Sequence, residues 1–259
     1  MREALAAEAV KLRRSRLPWI TAIGFTLATV VSGLFTFIAQ DPDRARSLGL
    51  AGAKAQMAGV TADWPSYLAL LGQAVAVGGF LVYGMTVIWV FGREFSDRTL
   101  KDLLALPISR VAVVAAKFTV AAAWSAALAA YAGLLGLAVG AALRLPGWSA
   151  GVIGAGIGRM LAAAGLTILV VTTLGLAASV GRGYLAAVGT LFVLLFVTQI
   201  LAALGYGHVF PYAVPGVVSG VAGPNQPAVG AVGYSLVALV AALSTTATAL
   251  FWRNADHDR

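Results

Sequence analysis

Cysteine is absent from this 259-residue chain, which removes disulfide bonds and thiolate metal sites at a stroke. Histidine is nearly absent: His208 and His257 are too few and too far apart in sequence to suggest a metal cluster. Charge is scarce, at 11% of residues against 60% hydrophobic and a mean hydropathy of +0.88. A soluble domain could not bury that much apolar surface. The chain has no Gly-Lys dipeptide, hence no phosphate-cradling P-loop. Its ten carboxylates, Glu3, Glu8, Asp41, Asp43, Asp63, Glu94, Asp97, Asp102, Asp256 and Asp258, all fall outside the long apolar runs. Proton- and ion-coupled transporters usually need an ionisable group within the membrane, so energy for any transport has to come from a separate ATPase. No cofactor is expected in this chain. The +8 formal charge follows from the bias of basic residues toward the cytoplasmic face of membrane proteins, and no nucleic-acid partner is expected from it.

What the chain does have is long apolar runs. About 20 residues rising 1.5 Å each cross a hydrocarbon core of roughly 30 Å. A β-barrel needs alternation of period two, and Leu191 to Val197 does not alternate. The fold class is therefore all-α membrane protein, with six transmembrane helices expected at about 18–39, 67–91, 111–143, 160–180, 184–204 and 228–252. Residues 1–16 carry Arg2, Lys11, Arg13, Arg14 and Arg16 around Leu5, Ala9 and Leu12, the pattern of an amphipathic helix lying on the membrane with its basic side toward headgroups. A signal peptide is the rival reading, but no small-x-small cleavage site follows. Trp64 and Tyr67 sit where interfacial aromatics belong.

Two segments need more than hydropathy. Val111 to Leu143 is apolar except for Lys117 and exceeds a bilayer core. From Phe118 onward about 39 Å of helix remains, so Lys117 is expected to stay at the cytoplasmic interface and escape a burial cost of roughly 2.5–3.5 kcal/mol. Residues 205–227 are Gly- and Pro-rich, apolar and without charge, which predicts a re-entrant external hairpin shielded by protein. Gly181-Arg182-Gly183 makes a tight turn that forces the flanking spans antiparallel. Thirteen of the 18 Lys and Arg residues fall on the face that holds both termini. Arg44, Arg46, Lys54, Arg144 and Arg159 fall on the other, so both termini are expected to be cytoplasmic. The bias to Ala, Gly, Val and Arg suggests a GC-rich bacterial genome and thus a bacterial plasma membrane.

The charge-dense interior stretch is Phe91 to Arg110. Leu100, Leu103 and Leu104 share one face of a short helix expected over about 94–106. On the opposite face Glu94 to Arg98, Asp97 to Lys101 and Arg98 to Asp102 are each four apart. Each exposed pair contributes only about 0.3–0.5 kcal/mol, so a partner surface explains the ladder better than stability does. A solvated helix between two spans stays open as the plainer reading. Pro107 ends this helix, and Ser109 can cap the next one.

Other motifs weigh less. Gly147-Trp-Ser149-Ala-Gly151 matches a nucleophile pattern and His208 lies on the same side, so a membrane-embedded serine hydrolase is an alternative; the motif needs a strand-to-helix elbow. A non-transporting membrane anchor or sensor is another. Gly136/Gly140 and Gly154/Gly158 have the spacing of close helix packing. Gly154-Ala-Gly156-Ile-Gly158 follows no strand and is not a dinucleotide signal. Gln73, Thr198 and Gln199 are the polar side chains within spans that could face a substrate path.

The basic N-terminus, six spans and the run Glu94…Thr99-Leu100…Leu103-Leu104…Pro107-Ile108-Ser109-Arg110…Lys117 together resemble the membrane subunit of ATP-binding-cassette type-2 exporters. That family includes drug, lantibiotic and polysaccharide export permeases. The ending Phe251-Trp252-Arg253…Asp258 is similar too, whereas Arg98 stands where many members have Gly. The resemblance implies that the helix after span two docks on an ATPase subunit, which binds the ATP and Mg, with the N-terminal helix packed beside it. It implies two permease copies or paralogues, spans two and five along the path, spans one and five at the seam, and 205–227 as an outer lid. By the same resemblance the coupling residues are Glu94, Asp97, Thr99, Leu103, Pro107, Arg110 and Lys117. Absence of charge in the spans makes an apolar or amphiphilic cargo the expectation.

Overall fold

The computed structural model describes residues 1–41, 43, 47, 61–97, 99, 109–221, 223 and 227–254. Among them nine helices and no strand occur: α1 (Arg2–Arg14), α2 (Leu17–Gln40), α3 (Trp64–Ser96), α4 (Arg110–Ala142), α5 (Ala150–Val170), α6 (Thr173–Val180), α7 (Tyr184–Ala203), α8 (Val214–Ser219) and α9 (Ala231–Asn254). Six of these units, with α5 and α6 counted as one, are long and apolar enough to cross a membrane. The all-α, six-span expectation holds.

Helix starts follow local chemistry. Asp63 accepts the Ser66 amide at 2.9 Å, and Pro65 occupies the first turn of α3, where its missing N–H costs nothing. Ser109 caps α4 by accepting the Ala112 amide at 3.2 Å, as its position predicts. Ser15 turns the chain between α1 and α2, donating to Leu12 O and accepting from the Leu17 amide. Gly183, at φ +153°, takes a conformation that side chains avoid and lets α7 turn back directly on α6.

Several boundaries differ from the sequence reading. The second span continues to Ser96, so Glu94 belongs to its last turn and does not begin a separate helix. The rest of the expected 94–106 helix, with Leu103, Arg98, Lys101 and Asp102, lies outside the described residues apart from Asp97 and Thr99, as does Pro107 after it. The fourth span starts at Ala150, ten residues earlier than 160, and carries Arg159 inside it. Both shifts have one cause: these helices outrun the hydrocarbon core, so hydropathy locates the slab and misses the helix ends.

Packing centres on α3. Tyr67, Leu71, Val75, Tyr83, Val87 and Phe91 repeat at multiples of four and are all buried, facing α2, α4, α5 and α7. Trp64 and Tyr67 are therefore not interfacial anchors. Trp64 lies against Trp148, ring centres 5.0 Å apart, and Tyr67 donates to Gly136 O at 3.0 Å. In lipid, helices gain little from hydrophobicity and rely on close packing and interhelical hydrogen bonds. Gly136 and Gly140 supply the closeness, lying under Leu71 and Trp64. Gly154 and Gly158 have nothing within 4 Å of a would-be Cβ, so only the first of the two GxxxG spacings packs. By contrast α7 is buried only at Ala187 and Leu191. It exposes Phe192, Val193, Phe196 and Ile200, as α2 exposes Trp19, Ile20, Ile23 and Leu27.

Residues 205–221 form turns and the short helix α8. Their depth shows in two contacts: Tyr212 Oη shares a 2.9 Å hydrogen bond with Thr173 Oγ1, which shares another of 2.9 Å with Ser244 Oγ on α9. Thr173 lies seven residues from the end of α6, about 10 Å along the helix.

Candidate functional site

At the end of the bundle where α1, α3 and α4 meet, four charged side chains form a closed knot. Lys117 points from the second turn of α4 into protein and is fully buried. Its ammonium donates to Glu8 Oε2 at 3.1 Å, Glu94 Oε1 at 3.0 Å and Val90 O at 2.9 Å. Three donors thus meet three acceptors, which is the full capacity of an ammonium. Lys11 closes the ring, donating to Glu8 Oε1 at 2.9 Å and Glu94 Oε1 at 2.7 Å. Two cations balance two anions. The expectation that Lys117 escapes burial is corrected: a lone lysine avoids burial because of its cost, and this one, fully buried in protein, has two carboxylates that neutralise it.

Glu8 is the residue that sequence reasoning missed. The buried stripe of α1 is Ala4, Glu8 and Leu12, spaced by four, and not Leu5, Ala9 and Leu12, which include two half-buried positions. A carboxylate on the apolar stripe of a surface helix was the available signal. Of the four basic residues assigned to that helix, Lys11 turns inward, while Arg13, Arg14 and Arg16 are exposed. Burial alone would lower the Lys11 ammonium, but its hydrogen bond to Glu94 and the charge of Glu8 outweigh it and raise the group above its ordinary 10.5.

Glu94 also reaches outward. Its Oε2 accepts from Thr99 Oγ1 at 2.8 Å, and its backbone carbonyl accepts the Thr99 amide at 3.1 Å. The knot is therefore fastened to Thr99, three residues beyond the end of α3. Of the expected ladder, Glu94 is committed to the lysines and Asp97 pairs with Arg93 at 3.0 Å. Arg110 acts differently again, with Nη1 donating to Trp252 O at 3.3 Å and Arg253 O at 3.5 Å. It ties the start of α4 to the end of α9, where carbonyl groups present partial negative charge. Beside the knot, Val10, Lys11, Arg14, Ser15, Trp89, Arg93, Asp97 and Tyr184 line a surface depression of about 470 Å³, mixed in charge and open to a partner.

A second cavity, about 190 Å³, lies between α3, α5, α7 and the 205–221 segment. Thr198 and Gln199 line it, roofed by Tyr212, Pro215, Gly216 and Val221. Thr198 Oγ1 is buried without a hydrogen-bond partner among the described residues. Gln73 does not line it; its Nε2 lies 3.5 Å from Gly220 O and holds the segment instead. The serine-hydrolase pattern dissolves on inspection. Ser149 Oγ accepts the Val152 amide at 3.2 Å as the cap of α5, and the His208 ring pairs with Gly205 O at 3.1 Å. There is no elbow, since Ser149 opens a helix from a loop. No group of His, Asp and Glu residues that could hold a metal occurs among the described residues.

The comparisons with known proteins agree with this layout. The bacitracin transport permease protein BCRB of Bacillus licheniformis is 24% identical over 181 residues, 69% of this chain and 85% of that protein. The profile described as ABC-2 family transporter protein matches residues 4–198, a range that takes in the knot, the first four spans and most of the fifth. This multi-pass chain, with its charged joint at one end of six apolar helices, belongs to the ABC-2 transporter family.

Proposed function

We propose that this chain is the permease subunit of an ATP-driven exporter that moves an apolar or amphiphilic substrate out of the cytoplasm or inner leaflet. The ATP is hydrolysed by a separate subunit seated on the depression beside the knot. The carrying observation is that Glu94 joins α1, α4 and Thr99 through three hydrogen-bonded partners. A displacement of the segment after α3 then reaches two other helices without passing through mobile side chains. The positive-inside count puts this end and both termini in the cytoplasm. A bacterial plasma membrane and a second permease copy, meeting at the exposed faces of α2 and α7, complete the reading. Thr99→Val is the cleanest test. Glu94→Ala would also strand Lys117 in the interior, whereas Thr99→Val removes one outward hydrogen bond. We expect normal membrane insertion and partner binding with transport per ATP reduced several-fold; unchanged coupling would count against the joint.

The cargo class rests on the second cavity, whose lining carries hydroxyl and amide groups and no charge. A peptide antibiotic, as in the name of the Bacillus relative, is within that class. Transport confined to a small, highly charged solute would sink this part of the reading. We also propose that 205–221 re-enters the membrane from outside, which the depth of the Tyr212 contact supports. The chain lacks native cysteine, so single cysteines are unambiguous probes. Gly216→Cys should resist a membrane-impermeant thiol reagent in intact cells while Trp148→Cys reacts; equal labelling would place the segment in water.

A further inference from the structure

Arg159 is the odd charge of the apolar helix α5. It is exposed and makes no hydrogen bond or ion pair among the described residues. The acidic residue described near the start of α3 cannot serve it, because Asp63 is committed to the Ser66 amide and Thr61 Oγ1 at 2.9 Å each. Arg159 also borders a groove of about 180 Å³ between α3 and α5, floored by Gly72, Gly156 and Met160 with Ala155 and Leu68 at its sides. No other residue lining the groove is charged. From Arg159 to Val180, at the far end of α6, is 21 residues, about 31 Å of helix. That is one hydrocarbon thickness, which sets the guanidinium at the headgroup level opposite the Lys117 knot.

We infer that this groove holds an anionic phospholipid, its phosphate on the Arg159 guanidinium and the first part of an acyl chain along the accessible Ala69, Val152 and Ala155. The charge complementarity is specific: a guanidinium binds phosphate oxygens in a bidentate fork. A side chain merely snorkelling to water would need no apolar groove beside it. The small accessible side chains of Ala69 and Ala155 let methylene groups approach both helices closely, the kind of contact that replaces hydrophobic driving force inside a bilayer. The inference stands apart from export, since it concerns the isolated chain and needs neither ATP nor partner.

The test uses the purified full chain in neutral detergent, titrated with phosphatidylglycerol or phosphatidylcholine and read by native mass spectrometry. The wild type should take up one phosphatidylglycerol about tenfold more tightly than phosphatidylcholine. Arg159→Gln should abolish that preference, and Arg159→Lys should keep only part of it. Ala155→Leu, which fills the groove and leaves the charge, should weaken uptake at least fivefold; it also serves if Arg159→Gln does not fold. Equal retention in wild type and Arg159→Gln overturns the inference. So does displacement of the lipid by millimolar inorganic phosphate, which would mark a free-anion site, or full uptake by Ala155→Leu.

Discussion

Lys117→Met should destabilise the protein by about 3–5 kcal/mol, the usual consequence of breaking a buried ion pair from one side. In a chain of this length that corresponds to a fall in melting temperature on the order of 10 °C. The size follows from what stays behind. Glu8 and Glu94 are both nearly excluded from solvent, and with Lys117 gone only Lys11 faces them, leaving one uncompensated negative charge. The first structural loss should be the docking of α1, whose charge-based hold on the bundle among the described residues is this knot. Purified Lys117→Met should therefore show fast hydrogen exchange across Arg2–Arg14 at temperatures where α3 and α4 stay protected. Adding Glu8→Gln should recover part of the loss, with an interaction energy of about 1–3 kcal/mol for residues in direct contact. A single mutant that melts with the wild type would show that the four charges are solvated and that the knot does not hold α1.

Gly140→Val is the second large effect, and it separates two glycine pairs that look alike in sequence. A Cβ at Gly140 would stand 2.5 Å from the Trp64 ring, and that ring, buried in the core with Trp148 edge-on to it, has little room to yield. Overpacking of this kind costs about 1–3 kcal/mol and occasionally more. The rigid indole puts Gly140→Val at the upper end, with Gly136→Val similar through Leu71 and the lost approach of Tyr67. Gly154→Ala and Gly158→Ala meet open space and should be neutral or stabilising by about 0.5–1 kcal/mol, since alanine loses less chain entropy in a helix. Melting of the four variants in one detergent tests this; a matching penalty at both pairs would contradict the packing assigned to α3 and α4.

How much could be read from the sequence depended on which constraint wrote the signal. The bilayer writes in runs of apolar residues, so all six spans and the Gly181-Arg182-Gly183 turn were legible, and Ser109 was recognisable as a cap. Protein contacts write in single residues. Nothing local distinguishes Trp64 and Tyr67 as core residues from the interfacial aromatics they resemble in position. Lys117 illustrates the limit best. Its partner Glu8 lies 109 residues away, so a reading that prices a charge by its neighbours in sequence sends it to water. Glu94, Thr99, Arg110 and Lys117 were marked through family likeness, and the structure gives each a bonded partner. Asp97 turned back on Arg93, while Leu103 and Pro107 lie beyond the described residues.

The division of the fourth span into α5 and α6 has a mechanical corollary. At the junction the regular ladder gives way to bonds that span three residues and not four, Thr172 N to Leu169 O at 3.4 Å and Gly175 N to Thr172 O at 2.9 Å, the tighter winding often found at hinges within helices. Below this knuckle Ser179 accepts the Trp252 indole N–H, and Thr173 meets both Ser244 and Tyr212. A hydrogen-bonded line therefore runs from Tyr212 through Thr173 to Ser244, with Trp252 meeting Ser179, so that α6 is stitched to α9 near both of its ends.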